Sequence, residues 1–188
     1  KAHSKISVIK PLKSGVISDM HAAKELLSYV LKKIENITEK EMSTSTAVIC
    51  CPSEITRIER EVMKDLARNM GITDVFIEEE IKSGALGAGI DIFRAKGVMI
   101  VDIGGGSTDV GVLSFGDIVL SKTIRKAGNY IDAELIKQIK KNQKVEIGEL
   151  TSERCKMDLS DLRDNAPVVV NRYAGRDIVV GIPKYVDI

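Results

Sequence analysis

The first long run of spaced apolar residues is Leu26, Leu27, Val30, Leu31 and Ile34, a helical period that predicts a helix over 20–36 capped by Asp19. Ahead of it, 5-KISVIKPLKSGVIS-18 is broken by Pro11 and Gly15 and predicts extended chain. A polar connection, 35-ENITEKEMSTST-46, leads into the β-branched run 47-AVICC-51, a short buried strand. Pro52 and Ser53 open a second helix, 54–69, with Ile55, Ile58, Val62 and Leu66 on one face and Gly71 as its stop. Next, 74-DVFI-77 predicts a strand and 78-EEEIKSGALGAGIDIF-93 a helix of small residues. This β-α-β-α order belongs to an α/β layer with a mostly parallel sheet.

The rhythm changes at residue 97, where 97-GVMIVDI-103, 107-STDVGVLSF-115 and 117-DIVLSKTIR-125 predict consecutive antiparallel strands. Gly116-Asp117 is the expected tight turn between the last two. Ile131, Leu135, Ile136 and Ile139 predict a helix over 129–141. From Lys144 onward the pattern is less periodic: a short helix near 151–158, then β-rich segments 167-PVVVNRYAG-175 and 176-RDIVVGIPKYV-186. The break near 96–98 is the expected domain boundary.

Composition narrows the classes. With 188 residues, 44% hydrophobic and 29% charged, the chain can bury a core. The 28 basic and 27 acidic residues nearly cancel, which removes the basic excess of a nucleic-acid binder. Three cysteines, two of them adjacent, form neither a disulfide framework nor a metal spacing and point to a reducing cytoplasm. No apolar run approaches the ~20 residues of a membrane-spanning helix. The chain opens on Lys and reads as an internal piece of a longer polypeptide.

The chemistry concentrates in 101-VDIGGGSTDVGVL-113. Three glycines between strands allow positive φ and close approach of a ligand to the main chain, whose N–H groups can grip phosphate oxygens. Ser107 and Thr108 add hydroxyls, and Asp102 at the strand end can hold a metal-bound water, as Mg²⁺ sites do. No Lys follows the glycines and no helix starts there, so the loop is neither a Walker loop nor a dinucleotide fingerprint. A plain glycine-rich hairpin is the alternative. Glu78, Glu79 and Glu80 end a predicted strand, where one acid could orient a water for attack on phosphate while others merely suit a helix N-terminus. In 127-AGNYID-132, Gly128 opens a helix whose N–H groups could face phosphate, or it is a simple turn. In 151-TSERCKM-157 a cap at Thr151 or Ser152 puts Glu153 and Lys156 at i, i+3, as a pair for ribose and adenine or as a surface ion pair.

Together these residues resemble the MreB family of bacterial actin-like cell-shape proteins. The likeness runs through 8-VIKPLKSGVISD-19, 48-VICCPSEITRIER-60, 79-EEIKSGALGAG-89, 100-IVDIGGGSTDVGVLSFGDIV-119, 147-IGELTSERCK-156 and 175-GRDIVVGIPK-184. The GGG-hydroxyl-hydroxyl-Asp loop is shared with all actin-like ATPases, whereas PLKSGVISD and GRDIVVGIPK point to this family. The resemblance implies an α/β, actin-like (ribonuclease H-like) fold with two lobes flanking a nucleotide cleft, incomplete at both ends. Residues 1–96 would be most of the first lobe, 97–142 would begin the second, and 143–188 would be its small subdomain. It implies ATP and Mg²⁺ as cofactors, with Asp102 organising the ion through water and Gly104, Gly105, Gly106 and Ser107 holding the terminal phosphates. Glu80 would orient the hydrolytic water, Gly128 would lie near phosphate, and Glu153 and Lys156 would contact adenosine.

The implied partners are further copies of the chain in a filament, the inner face of the cell membrane and other shape-determining proteins. A monomeric chaperone-like ATPase and a small-molecule kinase on the same fold are the competing readings. Some relatives insert an apolar loop into membrane; the counterpart here, 35–46, is polar and is not expected to do so. The chain departs from the family pattern at Ser107 (Thr), Ile81 (Pro), Lys82 and Ser83 (an Ala-rich helix) and Asn129 (Asp), and loss of the proline beside Glu80 is expected to alter hydrolysis. The family's first phosphate loop and its second adenine-side motif are expected beyond the two ends. The 188-residue piece alone should therefore bind ATP poorly, and micromolar affinity in isothermal titration would contradict that.

Overall fold

The structure, a computed structural model, describes residues 7–13, 15–41 and 45–188. Two compact units divide at Arg125/Lys126. In the first, a minimal hairpin of β1 (Leu12–Lys13) and β2 (Val16–Ile17) precedes α1 (Met20–Thr38). Asp19 caps α1 as predicted, accepting from the Ala22 N–H at 2.9 Å. The helix takes in residues 35–38, so the polar connection is shorter than expected; residues 42–44 of it lie outside the described residues.

Strands β3 (Thr46–Cys51) and β4 (Asp74–Glu79) pair in parallel across α2 (Arg57–Arg68). Helix α2 begins at Thr56, not at Pro52-Ser53, because Thr56 and Glu59 form a reciprocal capping box. Its buried face is Met63, Leu66 and Ala67, while Ile58, expected inside, is 76% exposed. Helix α3 (Glu80–Gly87) is half the predicted length, since β4 runs on through Glu79 and the chain leaves the helix at Ala88-Gly89. Gly89 has a φ of 73°, the left-handed conformation that ends helices.

The predicted three-stranded meander is present as β5 (Val98–Ile103), β6 (Thr108–Ser114) and β7 (Asp117–Ile124). Its second turn is Phe115-Gly116, one residue earlier than expected, with Ser114 opposite Asp117. Both turn residues have positive φ, 54° and 79°, as a twist-matched two-residue hairpin requires. One face of this sheet meets α3, where Ala85, Ile92 and Leu113 form a buried core flanked by Ile90, Ile100 and Ile118. The opposite face carries Met99, Val101, Ile103 and Leu120, each more than half exposed. That accounts for the apolar run Val98–Val101 at the start of β5, which places apolar residues on both faces of the sheet.

The second unit holds α4 (Gly128–Gln143), β8 (Val145–Glu146), α5 (Glu149–Leu159), β9 (Arg172–Asp177) and β10 (Pro183–Asp187). The strands form an antiparallel sheet in the order β10-β9-β8. Ile139, Val145, Ile147, Cys155, Tyr173 and Val186 make its core. Residues 167–171, expected as strand, are irregular, and 178–182 is the β9–β10 connection.

Candidate functional site

The β5–β6 turn places Gly104 to Ser107 at one end of the meander, closed by a 2.9 Å bond from the Gly104 N–H to the Ser107 carbonyl. None of Gly104, Gly105 and Gly106 adopts the left-handed region, contrary to the expectation of positive φ. Close approach accounts for Gly104 instead: a Cβ there would sit 3.3 Å from the Ser107 carbonyl oxygen. Gly104 and Gly105 are exposed while Ser107 is 7% exposed.

Asp102 and Asp109 face each other across β5 and β6. Like charges directly opposite destabilise a sheet, and such local conflicts gather at functional sites. Asp109 is buried and held, accepting from Thr123 Oγ1 at 2.5 Å and from the Ser53 N–H at 3.2 Å. It belongs to the glycine-loop run in the sequence, but only the fold shows that it ties the loop before α2 to the meander. Asp102 lies against α3, its Oδ2 3.8 Å from where a Cβ on Gly84 would be. Glu80 and Gly84, one turn apart, share that side of the helix.

The three glutamates separate by partner. Glu78 pairs with Lys82 at 3.4 Å and Glu79 with Arg60 at 3.7 Å. Glu80 has no cation beside it among the described residues. Its proton affinity is raised above the ordinary value of 4.5 by burial first, then by the charges of Asp109 and Asp102. Its neighbours Ile81, Lys82 and Ser83 each make contacts that hold this turn. Ile81 is fully buried and packs over Gly111, Lys82 reaches Asp117 at 3.4 Å as well as Glu78, and Ser83 Oγ sits 3.1 Å from Cys50 Sγ. Cys51, on the buried side, has its thiol pushed up to about 11, chiefly by burial, and is no nucleophile.

Within the second unit, Gly128 is the first residue of α4, whose start has no side-chain cap and no acidic residue in its first turn. The Tyr130 and Ile131 N–H groups already donate to the Ala127 carbonyl, which leaves those of Gly128 and Asn129 for an anion. Helix α5 starts at Glu149, so Thr151 and Ser152 lie inside it and cap nothing. Lys156 does not pair with Glu153; it bonds Asp132 Oδ2 at 2.9 Å and the Gly128 carbonyl at 3.3 Å. Glu153 is exposed.

A family profile described as MreB/Mbl protein matches residues 1–188. The chain belongs to the MreB/Mbl family. Cell shape-determining protein Mbl of Bacillus cereus is 40% identical over 97% of this chain and 54% of its own length. Cell shape-determining protein MreB of Escherichia coli is 32% identical over 95% and 51%. This MreB/Mbl chain thus spans about half the length of the curated relatives it matches. The crystal structure of MreB5 of Spiroplasma citri bound to AMPPNP superposes on it with a TM-score of 0.91 at 40% identity, over all of this chain and 56% of that one. The ADP-bound MreB5 structure gives 0.92 at the same identity and coverage. A MamK double helical filament, 24% identical with a TM-score of 0.73 over 94% of this chain and 53% of that one, shares the fold. The fold is actin-like, as expected from the resemblance. No described helix is long and apolar enough to cross a membrane.

The donor set suits the implied ion. Mg²⁺ takes one or two carboxylates and otherwise waters and phosphate oxygens. Asp102 offers one half-buried carboxylate with no cation paired to it among the described residues.

Proposed function

We propose that this chain carries part of the nucleotide site of a filament-forming ATPase, whose polymers serve cell shape. The observation that carries the reading is Glu80, the one carboxylate of three left without a cation among the described residues, on the same side of α3 as Asp102. Gly104, Gly105 and Gly106 would offer N–H donors, and Ser107 its hydroxyl, to the terminal phosphates. Gly128 would face phosphate, while Glu153 and Lys156 would hold adenosine. The printed nucleotides of the MreB5 structures, AMPPNP and ADP, support this assignment by relationship. Residues 1–96, 97–142 and 143–188 would serve as part of the first lobe, the start of the second, and its small subdomain.

Glu80 would accept a hydrogen bond from a water and aim its oxygen at the terminal phosphorus. The new P–O bond forms as the bridging P–O bond to ADP breaks, and the water's proton passes to the carboxylate and on to solvent. Phosphoryl transfer of this kind needs positioning and electrostatics more than covalent help. Mg²⁺, held through water by Asp102, would neutralise charge on the phosphates.

Ionised Glu80 is the competent form, and the fold favours its protonated form. Stability from this group is thus fully present below 4.5 and lost as pH rises through the raised value, while activity is gained over the same window. The acid limb of the kcat/KM profile, which reports the nucleotide-free protein, should lie above the ordinary glutamate value, and a limb at or below it contradicts the assignment.

The proposal is tested by ATP-dependent sedimentation of the full-length polypeptide with phosphate release followed in the same tubes. Pelleting that rises with concentration and ATP supports it. Phosphate release without pelleting at any concentration would make it a monomeric ATPase. Helix α2, with Ile58 outward, is the proposed lateral contact between filament strands.

A further inference from the structure

Two pairs of residues, each one helical turn apart, face each other between α4 and α5. Gly128 and Asp132 lie on α4; Ser152 and Lys156 lie on α5. The Lys156 ammonium donates to Asp132 Oδ2 at 2.9 Å and to the Gly128 carbonyl at 3.3 Å. Ser152, fully buried, donates its hydroxyl to the Asp132 carbonyl at 2.8 Å and fixes the turn that carries the carboxylate. The lysine and aspartate side chains are 20% and 14% exposed.

As a stabilising device this arrangement is poor. Buried ion pairs are often matched or bettered by apolar residues of the same volume. Here Asp132 Oδ1 is also buried with no hydrogen-bond partner, a cost that a purely structural clip would avoid. The arrangement instead fixes where one ammonium sits. Lysine has three donors, two are engaged among the described residues, and the third remains at the uncapped start of α4.

We propose that Asp132 is the positioning residue for Lys156. It holds the ammonium in a single place, so that the remaining N–H donates to the sugar hydroxyls of a bound nucleoside diphosphate or triphosphate. Asp132 itself does not touch the nucleotide. The inference rests on the nucleotide reading above and extends it to a residue that the sequence motifs did not single out.

The test uses the full-length polypeptide and titrates ADP and 2′-deoxy-ADP into wild type, Asp132→Asn, Lys156→Met and the double variant. Freeing a lysine side chain forfeits the ordering already in place, so Asp132→Asn should bind ADP about 10-fold more weakly. It should also prefer ADP over the deoxy analogue less than wild type does. The double variant should bind no more weakly than Lys156→Met alone, because both changes act through one ammonium. Asp132→Glu, which keeps the charge, should regain part of the affinity, and it carries the test if Asp132→Asn does not fold. A lowered unfolding midpoint in either Asp132 variant, with ADP affinity and sugar discrimination unchanged, would overturn the inference and leave the clip structural. Wild type that binds no nucleotide would overturn the nucleotide reading and this inference with it. Wild type that binds, and is weakened by Lys156→Met but not by Asp132→Asn, would overturn this inference alone.

Discussion

Glu80→Ala in the full-length polypeptide should release phosphate about 10²-fold more slowly than wild type while still pelleting with ATP. The expectation follows from which acid is left over. Glu78 is engaged with Lys82 and Glu79 with Arg60, so each of those carboxylates is already oriented by a cation. Among the described residues Glu80 has no cation beside it, and burial with the charges of Asp109 and Asp102 makes it a better proton acceptor than an ordinary glutamate. Removing it deletes the acceptor without removing a phosphate contact, so binding and assembly should survive. Glu79→Gln is the matched control and should keep a near wild-type rate. Equal phosphate release from wild type and Glu80→Ala would remove Glu80 from the site.

The strand and helix order could be read in the sequence because each element follows its own period. The Leu26 to Ile34 spacing makes a helix, and the alternation along β6 a half-buried strand. Boundaries failed where one local contact outweighed the pattern. The Thr56–Glu59 capping box moved the start of α2, and continued pairing of Glu79 with Cys51 shortened α3. Which way a helix faces also escaped the pattern: Ile58 fits the apolar stripe of α2 but lies outside it, because Met63 and Ala67 complete the buried face.

For the candidate site, the glycine loop and Glu80 were legible as residue types. The division of labour among the three glutamates was not, since Arg60 and Lys82 become partners only once α2, β4 and α3 are packed. What Asp109 and Asp132 hold escaped the sequence for the same reason. Their partners, Ser53, Thr123 and Lys156, lie 14 to 56 residues away, beyond any local pattern.

Gly111→Ala should destabilise the protein by about 1–3 kcal/mol and slow phosphate release, although residue 111 touches no proposed ligand. A Cβ at this position would clash with Ile81 Cδ1 and lie 3.4 Å from the Leu120 carbonyl oxygen. Ile81 has no exposure into which it can turn, so relief requires an unfavourable rotamer or a shift of the first turn of α3. That turn begins with Glu80, and a displacement there misaims the water. The isoleucine that stands where the resemblance implies proline thereby acquires a physical account. Proline would constrain the backbone beside Glu80 through its ring, whereas Ile81 holds the same turn through packing on a glycine. A double-mutant cycle with Ile81→Val separates this from a generic strand defect. Shortening Ile81 removes the Cδ1 that clashes, so the two changes together should cost less than their sum, with a coupling of roughly 0.5–3 kcal/mol in unfolding and partial recovery of phosphate release. Additive unfolding energies would mean that Ile81 and Gly111 are independent, and the packing account of how Glu80 is held would fall with them.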